Sequence, residues 1–203
     1  MNRRVGLFDY GSGNLHSAAR AFANAGADVS VTSDLGELRR QDALVVPGVG
    51  AFAACMRGLT QAGGVDLIRE WVAADRPLLG ICVGHQILFE QGTEHGTVTP
   101  GVGVLRGSVD TLPARRLPHM GWNTVQPADG MSLFGGPAGE RFYFVHSYAA
   151  LTGPDDALVA TAEHEDGRFV AAVERGNLAS TQFHPEKSGE AGAHLIATWL
   201  RKL

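Results

Sequence analysis

At 203 residues the chain can bury one substantial core, and its simplest organisation is a single domain over 1–203. A net charge of −4, with 44% hydrophobic and 19% charged residues, excludes a polyelectrolyte binder, so neither nucleic acid nor an anionic membrane is expected as a partner. No apolar run approaches the roughly 20 residues that span a bilayer, and two cysteines, Cys55 and Cys82, make no disulfide framework, which points to a reducing cytoplasm.

The chain opens on Met1-Asn2-Arg3-Arg4, but the apolar stretch over 5–8 stops at Asp9 and reads as a first strand rather than a signal peptide. A helix over 14–25 follows, then strands at 28–31 and 43–46, helices at 51–59 and 65–74, and a strand ending at Ile81. This β-α alternation with continuously apolar strands predicts a parallel sheet covered on both faces. The rhythm then changes. Segments 102–112, 124–126, 142–148, 157–162, 169–173 and 178–182 are strand-like, with short turns such as Asp166-Gly167 and Arg175-Gly176-Asn177. They predict a mostly antiparallel extension of the sheet, closed by a last helix over 189–203.

The most informative segment is Gly80-Ile81-Cys82-Val83-Gly84-His85-Gln86, flanked by the apolar runs 77–79 and 87–89. It reads as a sharp strand-to-helix turn with Cys82 at the apex, where glycines two places to either side tolerate unusual backbone angles and leave space around the sulfur. The thiol is expected to stand exposed above the sheet. Unpaired N–H groups and the positive end of a helix dipole would favour the nucleophilic thiolate there.

Near the end stands Gln182-Phe183-His184-Pro185-Glu186-Lys187-Ser188. Pro185 biases His184 toward extended geometry, in which residues two apart share a side, so Glu186 can orient the imidazole as a base. Pro47-Gly48-Val49-Gly50 follows a strand and opens a helix. Its glycines would let a backbone N–H reach a developing oxyanion, beside the N–H of Val83. A lone cysteine before a helix is usually packing and a lone His-Pro-Glu usually a turn; the two together with this loop point to a Cys82-His184-Glu186 triad. Cys55 keeps the packing reading, as do His16, His95, His164 and His194. Gly11-Ser12-Gly13-Asn14 lacks the third glycine of a dinucleotide turn and the Gly-Lys-Ser/Thr of a P-loop, so it is taken as a plain βα turn. Cys82 and His85 lack a second ligand pair at zinc spacing, and no metal or other cofactor is expected.

The elbow and the His-Pro-Glu block resemble those of the class I (triad) glutamine amidotransferases. Asp9 to Asn14, Pro47 to Phe52, His119-Met120-Gly121-Trp122-Asn123, Tyr143 to Tyr148 and Gln182 to Ser188 are similar to the branch formed by glutaminase subunits of imidazole glycerol phosphate synthase. That branch usually has methionine where this chain has His85. The resemblance implies an α/β, flavodoxin-like three-layer sandwich with a mixed, largely parallel central sheet and an antiparallel extension. It implies hydrolysis of L-glutamine to glutamate and ammonia, with Val49, Gly50 and Val83 supplying the oxyanion hole and Gln86 and the Ser147-Tyr148 backbone holding the substrate. It further implies a separate cyclase subunit with a (β/α)8 barrel as partner, faced by Asn14, His119, Trp122 and Lys187. Amidotransferases of other pathways, serving aminodeoxychorismate, carbamoyl phosphate or GMP synthesis, are the alternative, and a cysteine peptidase or a vestigial regulatory module is disfavoured by the intact motifs.

Overall fold

Short runs of branched and aliphatic residues build the centre of the molecule, because a strand covered on both faces has no side left to be polar. The structure is a computed structural model and describes residues 3–137 and 139–203. Five strands run parallel: β1 (Arg4–Phe8), β2 (Asp28–Thr32), β3 (Ala43–Gly48), β4 (Leu78–Cys82) and, from the far end of the chain, β13 (Leu178–Thr181). All of β3, β4 and β13 and four of the five residues of β1 are buried, whereas β2 at the sheet edge is not. β12 (Gly167–Arg175) and β11 (Leu158–His164) continue the sheet antiparallel, giving the order β11-β12-β13-β4-β3-β1-β2.

The helices are α1 (Leu15–Asn24), α2 (Leu35–Arg39), α3 (Phe52–Gln61), α4 (Gly64–Ala73), the single turn α5 (Val83–Gln86) and α6 (Gly189–Leu200). From β1 the sheet grows in one direction through α1 to β2 and in the other through β3 to β4. Right-handed crossovers in opposite directions put their helices on opposite faces, in keeping with the packing of α1 on α6 and of α3 on α4. The strand order therefore reverses between β1 and β3, and the loops leaving the carboxyl ends of β1, β3, β4 and β13 converge there. Among the described residues no helix is long and apolar enough to cross a membrane.

The antiparallel extension is narrower than the sequence suggests. Only β11 and β12 form it. β5 (Phe89–Glu94), β6 (Thr97–Pro100), β7 (Leu105–Thr111) and β10 (Tyr148–Ala150) make a separate sheet of order β10-β7-β5-β6, and β8 (His119–Thr124) pairs only with β9 (Arg141–His146). The strand-like run 142–148 is split at Ser147, where the chain leaves β9 and joins β7 through β10. Ile87-Leu88-Phe89, expected in the helix after the elbow, leads into β5 instead. The apolar run was right; its period could not distinguish helix from strand.

Glycines under the elbow serve close approach. A Cβ on Gly84 would overlap the Val46 carbonyl oxygen, and one on Gly48 would lie 2.5 Å from the Gly84 nitrogen. Gly84→Ala should therefore destabilise the protein by about 3 kcal/mol or more. Gly11→Ala, with open space but φ at +85°, should cost only about 1 kcal/mol. Urea unfolding of both variants against the parent checks the contrast.

Candidate active site

Cys82 ends β4 at φ +57°, ψ −113°, a conformation that L residues avoid. The turn carries the chain from β4 directly into α5 and places the side chain at the carboxyl end of the sheet. α5 is one turn long, so its dipole is small. The sulfur is not exposed as expected: Cys82 is 3% accessible and opens instead onto a pocket of about 330 Å³, lined also by Val49, Gly50, Gln86, Tyr148 and His184. Burial of the sulfur suits a nucleophile, the role expected of it.

His184 reaches this thiol because it follows β13, the neighbour of β4 on the side away from β3. Its ring stands on Glu186: Nδ1 donates to Oε1 at 2.8 Å, with both side chains buried. The reason differs from the expected strand alternation. Pro185–Lys187 is a 3-10 turn, closed by the Lys187 N–H on the His184 carbonyl at 3.1 Å and by the Ser188 hydroxyl on the same carbonyl at 2.6 Å. The Tyr143 N–H donates to Ser188 Oγ at 3.0 Å and the His184 N–H to the Tyr143 carbonyl at 2.9 Å, which ties the turn to β9. Among the described residues, His184 Nε2 and Glu186 Oε2 are buried without a hydrogen-bond partner. Burial opposes a charge on His184, but the Cys82 sulfur and the Glu186 carboxylate outweigh it and hold the imidazole at about 9. Nε2 is thus kept as a proton donor beside the sulfur.

The oxyanion loop is committed elsewhere. The Val49 N–H donates to Ser12 Oγ at 3.1 Å, and the Val49 carbonyl accepts from Ser12 Oγ at 2.9 Å and Cys55 Sγ at 3.3 Å. Burial raises the Cys55 thiol, so it remains a protonated donor. A trans peptide points its N–H opposite to its carbonyl, so the Gly50 N–H, at φ +90°, faces away from Ser12. Val83, as the first residue of α5, has no preceding turn to receive its N–H. Ser12, set aside as an ordinary turn residue, is thus a partner of this loop.

Of the residues expected to hold substrate, Gln86 donates through Nε2 to the Tyr148 carbonyl at 2.8 Å and to Gln182 Oε1 at 2.9 Å. Ser147 and Tyr148 line the pocket, as does Glu94 from β5, a carboxylate that nothing in the linear sequence singled out. Gln182 Nε2 comes within 4.0 Å of Cys82 Sγ. The residues expected to face a partner diverge. Trp122 is 47% exposed, joined on the same face of β8 by Met120 at 63%. His119 is buried, because β8 alternates and sends residue 119 inward. Lys187 lines the pocket, and Asn14 lines a narrow cleft against Pro47, His184 and Glu186. His85 is buried, pushed down to about 3 by desolvation, bonded through Nδ1 to Ser180 Oγ at 2.7 Å and packed edge-on against Phe89. It supports the elbow from beneath and does not line the pocket.

A histidine held above its ordinary 6.5 stabilises the fold fully below that pH and loses the contribution as pH rises through about 9. The parent should therefore melt above Glu186→Gln at about pH 6, and the gap should narrow through about pH 9. Thermal unfolding across buffers measures it; a gap that does not change with pH would exclude an imidazolium here.

The comparisons with known proteins bear on this geometry. The family model "Glutamine amidotransferase class-I" matches residues 6–203. The imidazole glycerol phosphate synthase subunit HisH of Cutibacterium acnes is 58% identical over 201 residues, covering 98% of this chain and 97% of its own. The protein of the same description from Mycobacterium tuberculosis is 55% identical over 201 residues, with the same coverage of the two chains. Among solved structures, a glutamine amidotransferase superposes with a TM-score of 0.77 at 20% identity, covering 98% of this chain and 99% of its own, and PurLQS from Thermotoga maritima with 0.76 at 19%, covering 100% and 99%. A family model spanning nearly the whole chain, together with relatives more than half identical over their full length, establishes that this chain belongs to the class I glutamine amidotransferase family.

Proposed function

We propose that this chain is the glutaminase subunit of imidazole glycerol phosphate synthase in histidine biosynthesis, a single catalytic domain that hydrolyses L-glutamine and hands the ammonia to a separate cyclase subunit. The observation that carries the chemistry is Cys82, held at φ +57° at a pocket with the His184–Glu186 pair beside it. The pathway assignment rests on the relatives of that name.

In this reading the Cys82 thiolate attacks the side-chain carboxamide carbon, and the carbonyl electrons move to oxygen. The imidazolium of His184 gives its Nε2 proton to the departing nitrogen, leaving a thioester and ammonia. Neutral His184 then takes a proton from water, whose oxygen attacks the thioester; the thiolate leaves as glutamate forms. Glu186 keeps Nδ1 protonated and Nε2 in play throughout. The pocket lies at the small end of the range for small-molecule sites, and Glu94 offers a carboxylate for the α-ammonium of glutamine. Three N–H groups are candidates for the oxyanion, those of Val83, Gly50 and Val49, and the last can serve only after the Gly48–Val49 peptide releases Ser12.

In this reading the partner is a (β/α)8 barrel, a fold of about 250 residues, carried by a separate cyclase subunit, which the description of the relatives as a synthase subunit supports. The outward face of β8, with Met120 and Trp122, has the aromatic and methionine character of a protein interface.

Cys82→Ala should lower glutamine hydrolysis by about 10³-fold or more while leaving the fold intact. The purified chain alone should hydrolyse glutamine slowly, and a cyclase subunit with its nucleotide should raise the rate by orders of magnitude in a coupled glutamate assay. An unchanged rate on adding the cyclase would remove the pathway assignment and leave the glutaminase chemistry standing.

A further inference from the structure

Three polar side chains outside the triad form a chain of hydrogen bonds that ends at the pocket. His119 and His146 are direct cross-strand partners on β8 and β9, and Asn123 lies four residues further along β8 on the same inward face, two strand repeats from His119. His146 Nδ1 lies 3.0 Å from the Tyr148 carbonyl. A carbonyl only accepts, so Nδ1 carries the proton and Nε2 of the neutral ring is an acceptor. At the other end, Asn123 Oδ1 accepts the Thr124 N–H at 2.8 Å and Nδ2 donates to the Glu163 carbonyl at 2.8 Å. Backbone groups thus orient that amide at both of its atoms, and its remaining proton faces His119 Nε2 at 3.3 Å. His119 Nε2 is then an acceptor and Nδ1 the donor. The bond between them, His119 Nδ1 to His146 Nε2 at 3.0 Å, runs in the direction that each end requires independently.

The rings have little freedom to leave this arrangement. His119 is stacked between Phe144 at 4.9 Å and His164 at 4.3 Å, and His146 stands against Phe169 at 4.8 Å. Burial holds His119 at about 4 and His146 at about 3, with neighbouring histidines adding to it, so both are neutral near pH 7 and the assigned tautomers apply. At the pocket the Tyr148 carbonyl has two acceptor positions, filled by His146 and by Gln86 Nε2 at 2.8 Å. The second proton of Gln86 Nε2 goes to Gln182 Oε1 at 2.9 Å, which leaves Gln86 Oε1 for a substrate donor.

We propose that the Asn123–His119–His146 relay positions the glutamine-binding groups: by fixing the Tyr148 carbonyl it fixes the Gln86 amide, with its oxygen turned to accept from the bound amino acid. His119 and His146 are positioning residues, since neither acts on the reacting atoms. The inference rests on glutamine being the substrate.

Cys82→Ala in the full chain, titrated with L-glutamine by calorimetry, measures binding without turnover. Added to that parent, His146→Phe keeps a ring against Phe169 but loses both hydrogen bonds, and glutamine should bind about 10-fold more weakly. His146→Asn, whose Nδ2 can stand in for Nδ1, should bind within about 3-fold of the parent. Should His146→Phe not fold, His119→Phe carries the test, since it keeps the Tyr148 bond and removes its support; an intermediate loss of about 3-fold is expected. Parental affinity in the phenylalanine variant that folds, or equal loss in His146→Asn and His146→Phe, would overturn the relay. A folded Cys82→Ala parent that binds no glutamine would overturn the glutaminase reading beneath it, and is recognised because the parent itself then fails.

Discussion

The left-handed turn at Cys82 is the constraint around which the rest of the site is arranged. A non-glycine residue at φ +57° costs on the order of 1–3 kcal/mol and persists only where its surroundings overdetermine it. Here the surroundings are backbone. Gly84 lies against the Val46 carbonyl and Gly48 against Gly84 and the Tyr10 hydroxyl, so the end of β3 sits directly under the turn and no side chain can come between them. One contact therefore sets two parts of the site, the direction of the thiol and the proximity of the Pro47–Gly50 loop. The third part follows from β13 lying parallel to β4 on its other side, which delivers His184 to the same sheet end.

Four histidines close to this site show how neighbours decide the behaviour of one side chain. His85, His119 and His146 are desolvated among apolar and neutral groups and are driven down to between about 3 and 4. His184 is equally inaccessible, yet a sulfur on one side and a carboxylate on the other hold it near 9. Burial alone makes a histidine a rigid, directional hydrogen-bonding ring; burial between two acidic partners makes it a proton donor. The first kind braces backbone and side chains around the pocket, and the second stands beside the Cys82 sulfur within it.

The oxyanion loop joins these parts to the surface. Its Val49 peptide is tied by Ser12 and Cys55 on one side, while the Val49 side chain is 41% exposed. The outward face of β8 also presents exposed side chains, Met120 and Trp122.

How much of this was legible beforehand follows from the range of each interaction. The parallel sheet, the elbow and the His-Pro-Glu block could be read directly, because apolar periodicity and short-range turn chemistry are written within a few residues. Even there the reasons shifted: the His184–Glu186 pair forms through a 3-10 turn held by Ser188, not through strand alternation. Burial of Cys82, the diversion of Ile87-Leu88-Phe89 into β5, the separate four-stranded sheet, the inward turn of His119 and the Ser12 bond to Val49 all depend on partners 15 or more residues away. Linear sequence by itself singled out the candidates for nucleophile, base and acid, since these are recognisable by type and local setting. Tertiary structure alone decided how those groups are presented, since solvent access, hydrogen-bond partners and proton affinity are set by whatever the fold packs against them.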